Sequence, residues 1–127
     1  KIAVLGDMLE IGRYTEQAHR AIGDRSAEFV DLLFCVGPRA KFIADAAHIS
    51  GRASPNASGR EAILKVFKFD DALSAGRALD PIIQEGDLIL VKGSQAMRME
   101  KAVEEIMAHP ERAEELLVRQ DEYWKKR

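Results

Sequence analysis

The chain has 127 residues, with 19 Lys and Arg against 21 Asp and Glu, a formal net charge of −2, and 46% hydrophobic residues. That balance gives no electrostatic reason to expect nucleic acid or an anionic membrane as main partner, and the composition is that of a folded chain. No apolar run approaches the ~20 residues of a membrane helix. A single cysteine, Cys35, excludes an internal disulfide and fits a reducing compartment.

Taken in order, IAVLG (Ile2–Gly6) is a short apolar run ended by glycine, the pattern of a strand buried on both faces. TEQAHRAIGDRSAEF (15–29) predicts a helix with Ala18, Ile22 and Phe29 facing the core and His19 beside them as a packed or hydrogen-bonded histidine. Gly23 weakens that helix without forbidding it. LLFCVG (32–37) predicts a second buried strand, with Cys35 as a small hydrophobe. Pro38 can open the helix RAKFIADAA that follows. Residues 50–59 have loop chemistry, and the sequon Asn56-Ala57-Ser58 within them is expected to be chance.

KVFKF (65–69) reads as a shorter strand near an edge, after which Asp70 or Asp71 caps a helix over 71–83. Gly76 and Pro81 are its weak points. DLILVKG (87–93) is the clearest strand. The next helix carries Met99, Ala102, Val103, Ile106 and Met107 as an apolar stripe at helical spacing, and His109-Pro110 ends it. ERAEELLVRQDEYWKKR (111–127) predicts one last amphipathic helix, its basic end suited to the helix dipole. Strands alternating with helices imply parallel β-α-β units. The expected fold is therefore a Rossmann-like α/β domain over 1–127, a mostly parallel sheet with helices on both faces.

Three strands end in glycine: Gly6 before Asp7, Gly37 before Pro38, and Gly93 before Ser94. Ligands of open parallel sheets bind outside the carboxyl ends of the strands, where glycine allows close approach and helix N–H groups attract anions. Asp7, Asp70, Asp71, Lys92 and Ser94 are thus expected along one edge. Each has a plainer explanation as a turn or cap, except that a lysine closing a buried strand must find an anion or reach solvent. The sequence contains no G-x-x-x-x-G-K-[ST], no G-x-G-x-x-G, no cysteine–histidine cluster at zinc spacing and no G-x-S-x-G elbow.

The segments KIAVLGDMLEIGRYTEQAHRAIG and LILVKGSQAMRMEKAVEEI, in this order and with ELLVRQDEYW near the end, resemble the C-terminal domain of the Mur ligases. The resemblance is to the branch that joins D-Ala-D-Ala to UDP-N-acetylmuramoyl tripeptide, and it is weakest over 49–79. It implies a cytoplasmic, monomeric ATP-dependent ligase of peptidoglycan-precursor synthesis, built of three domains, of which this chain is the closing one. ATP and Mg2+ would be held mainly by the central domain and the UDP-sugar by the first. This segment would contain no catalytic or metal-binding residue and would be inactive alone. The family's aspartate- and asparagine-rich stretch has no counterpart here, which implies a domain lacking its first strand and helix, and Gln95 stands where many members have arginine. By resemblance Gly6, Asp7, Met8, Lys92, Gly93, Ser94 and Arg98 would border the incoming dipeptide. Lys92 and helix N–H groups suit its carboxylate, and Asp7 its ammonium.

Two other readings fit the same residues. A receiver module also gathers aspartates and a late-strand lysine at one sheet edge, as Asp7, Asp70 and Lys92 would do. A nucleotide- or anion-binding module without catalysis would use the strand-end glycines as a simple pocket.

Overall fold

The computed structural model describes residues 1–53 and 64–126; the sequon at Asn56 lies outside them. The described residues form a four-stranded parallel sheet in the order β3-β2-β1-β4, from β1 (Ile2–Gly6), β2 (Leu32–Val36), β3 (Lys65–Phe69) and β4 (Ile89–Lys92). These are the first four positions of the 3-2-1-4-5-6 Rossmann order. A receiver sheet has its third strand beside the first, so the receiver reading is overturned by topology.

The α-helices are α1 (Thr15–Ala27), α2 (Lys41–Ala53), α3 (Ala72–Leu79), α4 (Glu100–Ile106), α5 (Ala113–Leu116) and α6 (Glu122–Lys125). Strand alternation divides the core between two faces. Ala3, Leu5, Leu33 and Cys35 pack with Ile43, Ala44 and Ala47 of α2. Ile2, Val4, Phe34 and Val36 pack with Ala75 and Leu79 of α3 and Ala102 of α4. Phe34 also stacks on Phe69 at 5.6 Å. β1 and β2, covered on both faces, are the continuous apolar runs expected of central parallel strands. No helix among the described residues is long and apolar enough to cross a membrane.

Several expectations are corrected. Ile22 and Phe29 are exposed, at 38% and 44%, and α1 instead buries His19, Gly23 and Ser26. The cause is the close packing of α1 on α2: a Cβ on Gly23 would overlap the Ile43 carbonyl oxygen and lie 2.8 Å from Ala46 Cβ. A glycine therefore stands where α1 meets α2. β4 is an edge strand, not a buried one, with Leu90 and the preceding Leu88 exposed. The helix expected over 71–83 ends at Leu79, two residues before Pro81. Its cap is Asp71, which accepts from Ser74 N–H at 2.8 Å and whose carboxyl is held below its usual range chiefly by that bond.

The apolar stripe after β4 is only partly helical. Met99 stands at the N-cap of α4, behind a 3-10 turn (Gln95–Met97), and α4 stops at Ile106 with Met107 extended. The single final helix is replaced by a 3-10 turn (Pro110–Arg112), α5 and α6, with Leu117 extended and Arg119 in the left-handed region at φ 60°.

Candidate functional site

In the order β3-β2-β1-β4, the chain leaves β1 towards β2 and returns from β3 to the other side of β1. The carboxyl ends of β1 and β4 therefore form the topological switch point, where crevices open in sheets of this type. Gly6-Asp7-Met8 and Lys92-Gly93-Ser94 both stand there. The strand register pairs Leu5 with Lys92, which places the two loops side by side.

The two loops are joined directly. Ser94 N–H donates to the Asp7 carbonyl at 3.0 Å, and Leu9 N–H donates to Ser94 Oγ at 2.7 Å. Ser94 occupies the N-cap position of its 3-10 turn without a side-chain capping bond, because its hydroxyl is engaged by Leu9. The strand-end glycines serve this junction by packing. A Cβ on Gly6 would lie 2.7 Å from Met99 Sδ, and one on Gly93 would lie 2.8 Å from Met99 Cγ and 3.1 Å from Gly6 Cα. Met99 fills the floor beneath both loops, a role that its place in an apolar stripe does not reveal.

Asp7 does not present its carboxylate to a ligand as expected. It is 1% exposed, and its Oδ1 accepts from Arg39 N–H at 2.9 Å and Ala40 N–H at 2.6 Å, in the turn that opens α2. Those two N–H groups are thereby occupied as well. Gly37, at φ 102°, has no room for a Cβ beside Asp7 Oδ1 and Met97 Cε. Met8 N–H donates to His19 Nε2 at 3.0 Å, and His19 Nδ1 lies 2.6 Å from the Thr15 carbonyl oxygen.

Arg98 is likewise placed elsewhere than expected. Its side chain is buried, with Nε donating to Glu100 Oε1 and a terminal N–H donating to the Trp124 carbonyl. Arg119 approaches the other Glu100 oxygen at 3.7 Å, and both guanidinium groups lie 5.6 Å from the Trp124 ring. Arg98 thus fastens the C-terminal segment to α4. Removing one member of such a buried pair leaves a charge without its partner, so this cluster ties the C-terminal segment down.

Lys92 is the exception at the junction. It is exposed at the end of the edge strand, and among the described residues its ammonium has no hydrogen-bond or ion-pair partner. A groove of about 640 Å³ runs from Met8 and Lys92 along the α1 side of β4 to Leu90, Leu88 and Phe29. Its walls are almost wholly apolar, which leaves Lys92 the main polar group at its strand-end rim. Asp70 is exposed at the end of β3, one strand beyond β2, and so is not part of the switch point. Among the described residues no three His, Cys, Asp or Glu side chains converge to hold a metal ion. Cys35 is buried, and desolvation pushes its thiol up to about 12, as suits a packed rather than reactive group.

A family model described as Mur ligase, glutamate ligase domain, matches residues 1–95. The UDP-N-acetylmuramoyl-tripeptide–D-alanyl-D-alanine ligase of Bacillus subtilis (strain 168) is 30% identical over 113 residues, 87% of this chain and 22% of that protein. The crystal structure of MurF from Acinetobacter baumannii is similar with a TM-score of 0.60 at 25% identity, over 83% of this chain and 21% of the other. The chain spans about a fifth of the length of each relative.

Proposed function

The chain belongs to the Mur ligase family as its C-terminal, glutamate ligase domain, of MurF type, and from that premise we propose that it serves an ATP-dependent ligase joining D-Ala-D-Ala to UDP-N-acetylmuramoyl tripeptide. The reaction belongs to peptidoglycan-precursor synthesis in the cytoplasm, carried out by a monomer of which this domain is the closing part. The tripeptide carboxylate is activated by ATP as an acyl phosphate. The dipeptide amine then displaces phosphate and forms the new amide.

The domain's own share of this chemistry is to place the amine component, since holding two reactants in register removes much of the entropic barrier. The observation that supports the proposal most is Lys92, an unpartnered cation at the switch point, beside Asp7 and Ser94, whose side chains already hold backbone N–H groups of Arg39, Ala40 and Leu9. Its ammonium takes the dipeptide carboxylate. Asp7 and Ser94 contribute by fixing the two loops, and Gly6, Gly93 and Met8 by shaping the junction. An exposed ion pair adds little on its own, so the contact gains strength when the rest of the polypeptide closes over it.

The sequence has no P-loop motif, and on this reading ATP and Mg2+ are held mainly by the rest of the polypeptide, the isolated chain being inactive. The test is ADP release by the full-length protein with ATP, Mg2+ and UDP-N-acetylmuramoyl tripeptide, with and without D-Ala-D-Ala. Release that requires the dipeptide is expected. Release driven by a different amine, or none with any amine, contradicts the proposal.

A further inference from the structure

We propose that His19 is a positioning residue for the strand-end site, its Nε2 lone pair fixing Met8 N–H and thereby the stance of Lys92-Gly93-Ser94. Its consequence for dipeptide KM rests on the ligase reading above; the tether itself does not.

The tautomer follows from the partners. A carbonyl oxygen only accepts, so the 2.6 Å contact with Thr15 O puts the proton on Nδ1. A backbone N–H only donates, so the 3.0 Å contact with Met8 N requires a lone pair on Nε2. His19 is fully buried, and both ring nitrogens are committed to fixed roles. The Thr15 bond comes from the same helix, one turn earlier, and holds the ring so that its lone pair meets Met8.

Three consecutive residues are pinned in three directions. Asp7 N–H donates to Val36 O at 3.1 Å, and the Asp7 side chain reaches the turn before α2. Met8 is held by α1 through His19, and Leu9 by Ser94. Ser94 is bonded on both sides, through its N–H to Asp7 O and through its Oγ to Leu9 N–H. A displacement of Met8 therefore reaches Ser94 through its neighbours, and Lys92 lies two residues before Ser94. His19 touches no ligand on this proposal; it acts through Met8 and Ser94.

The test uses His19→Gln, His19→Asn and His19→Leu. Glutamine places an acceptor oxygen near the position of Nε2, asparagine keeps only a donor near Nδ1, and leucine has neither. In the chain, hydrogen exchange of the Met8 amide reports the tether. In the full-length ligase, KM for D-Ala-D-Ala and kcat are measured below each variant's unfolding temperature.

The Met8 amide is expected to be protected in the wild type and the Gln variant and exposed in the others. KM should rise about tenfold in the Asn and Leu variants, the equivalent of one lost hydrogen bond. The Gln variant should recover most of that, and kcat should change less than KM. If leucine prevents folding, the Gln and Asn pair carries the comparison. A Met8 amide that stays protected in the Asn variant overturns the tether. Unchanged KM in every variant, or equal losses in Gln and Asn, overturns the positioning role. A wild-type ligase without dipeptide-dependent ADP release overturns the ligase reading alone, and Met8 exchange still decides the tether.

Discussion

Replacing Asp7 by alanine removes the acceptor of two backbone N–H groups in the turn before α2, at 2.9 Å and 2.6 Å. The two are not equivalent. Arg39 is exposed, so its N–H can be rehydrated at a loss of about 1 kcal/mol, whereas Ala40 is fully buried and its orphaned N–H costs about 2–3 kcal/mol. The expected loss is therefore about 3–4 kcal/mol, a large fraction of the 5–15 kcal/mol or so that holds a domain together. Urea unfolding followed by far-UV circular dichroism should show a lower midpoint at unchanged slope. Asp7→Asn keeps a neutral oxygen in place and should lose only about 1 kcal/mol. Asp7→Ala within about 1 kcal/mol of wild type would refute the capping argument. So would an Asn variant of normal stability whose only defect is a raised KM for the dipeptide, since that pattern marks a carboxylate in contact with the ligand ammonium.

Gly23→Ala should destabilise the chain by about 2 kcal/mol on a thermal melt, because overpacking against the α2 backbone outweighs the roughly 1 kcal/mol gained in helix propensity; a stabilised variant would contradict the close α1–α2 contact. Cys35, held at about 12 in the folded chain against 9.0 ordinarily, should resist alkylation at pH 8 until the chain unfolds. The folded thiol keeps its proton to higher pH than the unfolded one. Its contribution to stability is thus complete below pH 9 and is lost as pH rises through about 12. Urea midpoints of wild type and Cys35→Ala should diverge less as the pH is raised over that window; an unchanged difference would count against burial as the cause.

The central strands were legible because parallel strands covered on both faces leave continuous apolar runs, as in Ile2–Gly6 and Leu32–Val36. α1 was legible as a helix but not in its orientation. Periodicity places large apolar residues inwards, yet here Gly23 meets α2, Ser26 is buried with its hydroxyl on the Ile22 carbonyl, and His19 meets the Met8 amide, while Ile22 and Phe29 line an open groove. Asp7 caps a turn 32 residues away, a pairing fixed by the sheet order and invisible to local spacing. Arg98 sits in the same motif as Lys92 but lies in the left-handed region, at φ 51°, and turns inwards to Glu100 and Trp124. Lys92 reaches solvent at the end of an edge strand, one of the two outcomes open to a strand-end lysine.

The most direct measurement compares D-Ala-D-Ala with its C-terminal amide as amine substrates of the full-length ligase, in wild type and in Lys92→Ala. If Lys92 takes the dipeptide carboxylate, the wild type should prefer the acid by about five- to tenfold in KM, one charge-assisted contact. The Lys92→Ala variant should lose that preference by raising KM for the acid alone. A preference for the acid that survives unchanged in Lys92→Ala would place carboxylate recognition elsewhere and contradict the proposed role of the strand-end site.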